Sequence, residues 1–244
     1  DGLCVAQGPL ENYSRANLSE LMTGRSIDSV LYRTGSPKTE VLIEAQGLSL
    51  GKSFKDINFH LKRGEILGVT GLSDSGRNEL ALTLAGHQIL QQGSITLQGK
   101  QIRLASPADA IKHGIGYIPE DRLAEGLFFE KSIYENEVPL ILDEISNAFG
   151  LLDDVKGRAV AHKISEGMDL NTENIDLPVG ALSGGNQQRV LIGRWLSINP
   201  KLLLLHGPTV GVDVGSKETI FYAMQKMAAR GIGLLIVSDD LPEL

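Results

Sequence analysis

A chain of 244 residues, 42% hydrophobic and 22% charged, has the balance of a globular protein with room for one large domain or two small ones. Its formal charge of −7 argues against a general binder of nucleic-acid backbones, which would carry a basic face. The single cysteine, Cys4, can form no intramolecular disulfide, and no apolar run approaches the roughly 20 residues that span a bilayer.

Residues 1–38 are polar and carry turn-formers at Gly8-Pro9, Gly24, Gly35 and Ser36-Pro37, with one short amphipathic helix expected around Asn17–Met22. They read as the tail of a preceding element followed by a linker. Asp1 stands where an initiator methionine would, as expected of a piece of a longer polypeptide. From Val41 the pattern changes. Val41–Ala45 and Asp56–Leu61 are expected strands, Arg63-Gly64 a turn, and Ile66–Thr70 a short apolar strand running into Gly71. A helix is expected from about Arg77 to Ala85. Residues about 123–180 carry helical patterns and few strand signals, so this block reads as a helical insert. Leu202–Leu205 is fully apolar, as in a strand buried on both faces. Ser216–Arg230 places Ile220, Phe221, Met224, Met227 and Ala228 at helical spacing, Gly231 closes it, and Ile232–Val237 is the next buried strand. Strands alternating with helices predict an α/β fold with a parallel sheet core, here preceded by an antiparallel β region.

Two glycine-bearing segments carry the chemistry. Gly71-Leu72-Ser73-Asp74-Ser75-Gly76-Arg77-Asn78-Glu79 has the spacing of a phosphate loop, G-x-x-x-x-G-K-S/T, after a strand and at the opening of a helix. Backbone N–H groups there can cradle phosphates, and the helix N-terminus adds favourable partial charge. Arg77 replaces the usual Lys with a wider planar fork. Asn78 replaces the hydroxyl that would meet Mg²⁺, and Asp74 places a carboxylate in the loop. Taken alone, this segment could be an ordinary strand-to-helix turn. The second segment is Leu182-Ser183-Gly184-Gly185-Asn186-Gln187-Gln188-Arg189. Ser183 offers a hydroxyl, the glycines let amides approach a phosphate, and the helix expected over Gln187–Ser197 points its positive end at the same place. The plainer alternative is a serine cap with flexible glycines.

The second segment resembles the signature of ABC ATPases almost letter for letter. Leu202–Asp213, LLLLHGPTVGVD, resembles their Walker B strand and D-loop, matching at Pro208, Thr209, Gly211 and Asp213. Gly116–Arg122, GYIPEDR, occupies the Q-loop place, and Ser238-Asp239-Asp240 the H-loop place. The wording GIGYIPEDR, LSGGNQQR and GPTVGVDVGSK is similar to carbohydrate importers whose ATPase chain holds two ABC domains in tandem. Arg77 and Glu120 resemble features of the second domain in that family. The resemblance implies a P-loop fold of the ABC type over residues 39–244, ending soon after the H-loop, with an antiparallel β subdomain and a helical subdomain at about 123–180. It also implies ATP with Mg²⁺ as ligand and a preceding ABC domain as partner. A transmembrane permease and, indirectly, a periplasmic sugar-binding protein would complete the assembly at the cytoplasmic face of a bacterial inner membrane. No nucleic-acid partner is expected.

The sequence departs even from that branch. His206 and Gly207 replace the Walker B Asp and Glu, and Gly207 cannot act as base on an attacking water. Asp239 replaces the H-loop histidine with a carboxylate that would repel phosphate. No aromatic serves as an adenine-stacking A-loop; Phe54 reads as core, as does Trp195. The five histidines show no metal-ligand spacing, so no metal site is expected. What is retained is the set that ABC ATPases present to the partner domain's nucleotide: Ser183, Gly184, Gly185, Asn186, Gln187 and Asp213. Glu120 and Asp121 could form an acid–base pair, but the resemblance makes Glu120 a transmitter of movement to the membrane domains. The expectation is a cassette nearly inactive by itself that supplies its signature in trans. Rival readings are a structural or regulatory module that binds no nucleotide, and an ABC protein outside transport.

Overall fold

The computed structural model describes residues 4–14, 17–18, 20–21, 37–170, 174–241 and 244. Most of the expected linker and part of its helix at 17–22 therefore lie outside the described residues. The described strands form two four-stranded sheets. The first is antiparallel, in the order β2-β1-β4-β5, from β1 (Val41–Leu50), β2 (Phe54–Lys62), β4 (Gln92–Leu97) and β5 (Lys100–Ile102). The second is parallel, in the order β3-β8-β7-β6, from β3 (Ile66–Val69), β6 (Ile115–Ile118), β7 (Leu202–His206) and β8 (Gly233–Val237).

Three strands of the parallel sheet are largely apolar because both faces are covered. Every residue of β6, β7 and β8 is buried. One face, with Ile118, Leu203, Leu205, Leu234 and Ile236, packs against α5 (Gly184–Leu196), α6 (Val214–Ala229) and the helical block. The other, with Ile115, Tyr117, Leu202, Leu204 and Val237, packs against α1 (Arg77–Leu84), α2 (Pro107–Lys112) and the antiparallel sheet. Burying each leucine of β7 contributes about 1.5–3 kcal/mol. Among the described residues, no helix is long and apolar enough to cross a membrane.

Between β6 and α5 the described residues form helices and turns, with no strand beyond isolated bridges. The order is a π-helical turn (Arg122–Gly126), α3 (Ile133–Glu137), a 3-10 turn (Pro139–Ile141), α4 (Asp154–Gly167) and a second 3-10 turn (Val179–Ala181). Ser132 and Glu135 form a capping box on α3, and Asp153 caps α4 through the Lys156 amide. A buried polar network fastens this block to α5. Arg194 donates to Gly126 O (2.7 Å) and Asn136 Oδ1 (2.8 Å), and its guanidinium lies 5.4 Å from the Phe128 ring centre. Asn136, fully buried, donates in turn to the Phe128 and Ser132 carbonyls, both at 2.9 Å.

Glu137 sits beside this network and accepts from Ser165 Oγ at 3.1 Å. Burial pushes its carboxyl up to about 8, with Ser165 and Arg194 pulling the other way. The folded chain therefore keeps this proton to a higher pH than the unfolded chain does. Its contribution is complete below the ordinary glutamate range and is lost as pH rises through about 8. In chemical unfolding from about pH 5 to 9, Glu137→Gln is expected to gain on the parent as pH rises, by on the order of 1–4 kcal/mol at the upper end. A difference that does not change with pH would mean that Glu137 is ionised in the folded state throughout.

Candidate functional site

Strand β3 delivers the phosphate loop and α1 carries it away. Ser75 N–H bonds back to Leu72 O at 2.9 Å, closing a turn whose residues Leu72 to Ser75 are all exposed. Gly76 follows at φ +84, and a Cβ there would lie 2.1 Å from the Ser53 carbonyl oxygen. Only glycine permits that left-handed turn against the antiparallel sheet. No side chain caps α1, so its first amides face the loop as a phosphate cradle would require.

The side chains that would complete an Mg²⁺–triphosphate site are engaged elsewhere. Arg77 is buried and turned back on its own fold. It donates to Gly71 O at 2.9 Å and to Asn78 Oδ1 at 3.3 Å, and pairs with Asp239 at 3.1 Å. The Arg77 guanidinium holds the Asp239 carboxyl below its ordinary value. Asp239 thus does not stand as an unpaired repulsive charge; it consumes the loop's cation. Asn78 Oδ1 accepts from Arg77 Nε, so it is already engaged as a hydrogen-bond acceptor. Asp74 is exposed.

Beyond β7, His206 bridges two groups. Its Nδ1 lies 3.3 Å from Tyr117 Oη and its Nε2 3.2 Å from Glu120 Oε2. Burial pushes the imidazole pKa down, against the pull of Glu120, while burial raises the Tyr117 hydroxyl to about 12. A neutral ring then accepts from Tyr117 at Nδ1 and donates to Glu120 from Nε2. Gly207 has φ +53, and a Cβ on it would lie 2.8 Å from Val210 Cγ2 and 3.1 Å from Glu120 Cγ. The position where the family carries its base is therefore bare and already covered by Glu120. Glu120, expected from sequence to be a coupling residue, lines a cleft beside β7. That cleft, of about 480 Å³, is also lined by Asn78, Tyr117, Arg122 and His206. The loop and helix N-terminus fit a phosphate, whereas Arg77, Asn78, His206 and Gly207 do not fit the metal-bound γ-phosphate chemistry.

The signature is differently arranged. Helix α5 begins at Gly184, three residues before the start expected from sequence, because Ser183 is its N-cap and accepts from the Asn186 amide at 3.4 Å. Ser183 is exposed and Asn186 half-exposed. Gly184 and Gly185 are also packing requirements: a Cβ on Gly185 would lie 2.3 Å from Ser216 Cβ, and one on Gly184 3.0 Å from Gly211 O. Gln187, expected among the presented residues, is buried and donates to Leu182 O at 3.0 Å. Asp213 caps α6, accepting from Ser216 N–H at 3.0 Å and Ser216 Oγ at 2.7 Å, which hold its carboxyl below its ordinary value. Sequence reasoning missed the Tyr117–His206–Glu120 chain and the fork of Arg122, which joins Gln187 to the turn at Val210-Gly211.

A family profile described as ABC transporter matches residues 54–210. The chain is 38% identical over 245 residues to a putative ribose/galactose/methyl galactoside import ATP-binding protein of Agrobacterium fabrum. It is also 38% identical over 245 residues to a ribose import ATP-binding protein of Lactococcus lactis subsp. cremoris. Both alignments take in all of this chain but 48% and 49% of the relatives, so the chain spans about half the length of the curated proteins it matches. Among solved structures, a nucleotide-free ATP-binding cassette from an ABC transporter superposes with TM-score 0.70 at 23% identity, over 82% of each chain. A dimeric cassette in a post-hydrolysis state bound to ADP and Pi gives TM-score 0.68 at 21% identity, over 83% of this chain and 90% of that one. The superpositions establish the cassette fold, and with the profile match the chain belongs to the ABC transporter family as an ATP-binding domain.

Proposed function

We propose that this chain is the second ATP-binding cassette of a carbohydrate importer's tandem ATPase, a partner in ATP hydrolysis more than a site of it. The observation that carries this reading is the contrast between its two glycine segments. Ser183 stands exposed as the N-cap of α5, while Arg77 is bound to Asp239 and Gly207 has no carboxylate. Ser183, Gly184, Gly185 and Asn186 would then face the γ-phosphate of ATP held by the phosphate loop of a preceding cassette. Residues 1–38 would be the tail of that cassette and the linker from it. The partners would be a membrane permease and, through it, a periplasmic sugar-binding protein, with the ATPase peripheral at the cytoplasmic face. Likeness over the full chain to ribose and galactoside import ATPases supports the substrate class.

The cis loop would hold ATP weakly or not at all, since any phosphate must compete with Asp239 for Arg77. The Arg77–Asp239 pair also favours a second reading, a module that takes no nucleotide of its own. Titration calorimetry separates them. The parent chain is expected to bind ATP more weakly than micromolar and to hydrolyse it barely above background. Asp239→Asn frees Arg77 and is expected to tighten binding by roughly tenfold, the size of one charge-assisted contact, without creating turnover. Absence of binding in both forms would favour the module without nucleotide.

The trans role is tested in the complete natural polypeptide with its permease. Ser183→Arg puts bulk and charge at the helix N-terminus and is expected to lower ATPase rate and transport by roughly 10²–10³-fold, the scale for losing contacts to a developing phosphoryl charge. Arg77→Ala is expected to do much less. If Arg77→Ala is the more damaging, with both variants folded, this cassette's own loop is the working site.

A further inference from the structure

Arg122 opens the π-helical turn that starts the helical block, yet its side chain is spent on distant parts of the chain. Its Nη1 donates to Val210 O at 2.6 Å, its Nη2 to Gly211 O at 3.0 Å, and its Nε to Gln187 Oε1 at 3.3 Å. Gln187 belongs to the first turns of α5, and Val210-Gly211 to the turn that ends in Asp213. The guanidinium also lies against the signature itself, since a Cβ on Gly184 would be 2.9 Å from Nη2. Among the described residues no carboxylate stands within ion-pair distance of this cation. Burial pushes its pKa down, and only the charge of Asp121 opposes that. A half-buried cation with no carboxylate in direct contact is costly, and three uncharged acceptors compensate it only if the planar fork is held in register.

We propose that Arg122 is a positioning residue for hydrolysis in trans, fixing the N-terminus of the signature helix against the D-loop turn. The proposal rests on the trans reading given above. Arg122 begins the segment that leaves β6 for the helical block, so one side chain ties three pieces together: that segment, the signature helix and the turn before α6. Ser183 and the D-loop turn would then meet the partner cassette's nucleotide as one preset surface. The fork is what this requires. A lysine at the same place brings the charge but a single point donor, which cannot serve two successive carbonyls and an amide oxygen together.

The test is steady-state ATPase kinetics on the complete natural polypeptide with its permease, comparing parent, Arg122→Ala, Arg122→Lys and Ser183→Arg. Each is checked for folding by its thermal midpoint. Arg122→Ala and Arg122→Lys are both expected to lower kcat about 10- to 100-fold, as misplaced catalytic groups do. KM for ATP should stay within about twofold, because the nucleotide is gripped by the other cassette. Parent kcat in Arg122→Ala, recovery of parent kcat in Arg122→Lys, or a loss confined to KM each overturns the proposal. If Arg122→Ala does not fold, Arg122→Lys decides alone. Loss of activity in Ser183→Arg with normal kcat in both Arg122 variants rejects this role for Arg122 and leaves the trans reading standing. Normal activity in Ser183→Arg rejects the trans reading itself.

Discussion

Strand β7 serves two cores at once. Its five residues alternate by the period of a strand, so Leu203 and Leu205 pack toward α5 and α6 while Leu202 and Leu204 pack toward α1 and the antiparallel sheet. No polar residue could occupy any of those four places without leaving a group unsatisfied on one side or the other. The strand is therefore fixed in register between β6 and β8, and its last residue is fixed with it. His206, Gly207 and the turn to Asp213 emerge at the C-terminal edge of a parallel sheet, beside the loop that follows β3. That edge is where open α/β sheets collect ligands. The geometry of the site follows from the burial of four leucines.

What the site lacks is as ordered as what it keeps. The loop's cation, the carboxylate at 239 and the amide at 78 satisfy one another. Tyr117, His206 and Glu120 form a second closed set. Buried groups left unpaired would cost stability, at about 1–3 kcal/mol for each group. Here the groups compensate one another.

The sequence was most legible where burial is strongest. The apolar runs at 202–205 and 232–237 became β7 and β8 within a residue or two, and the helix ending at Gly231 was bounded by its glycine. Strands β4 and β5 went unremarked because they are short and half exposed, with little apolar pattern to read. The start of α5 was misjudged for a different reason. Glycines weaken a helix on propensity, but the Ser183 cap starts α5 at Gly184, and Ser216 approaches Gly185 too closely for a side chain. The loop, signature and lost Walker B positions were all readable as residues. Their pairings were not: Arg77 with Asp239, and Arg122 with Val210 and Gly211, join segments far apart in the chain that only the tertiary fold brings together.

Gly207 makes its position hard to fill. Its backbone has taken a conformation open to glycine and strained for glutamate, and the space above it is filled by Glu120 and Val210. Both neighbours are themselves committed, Glu120 to His206 and the Val210 carbonyl to Arg122. A glutamate placed at 207 would meet Val210 and Glu120 before its carboxylate found room, so a single substitution there disturbs packing first. The bare position is held by ordinary van der Waals contact.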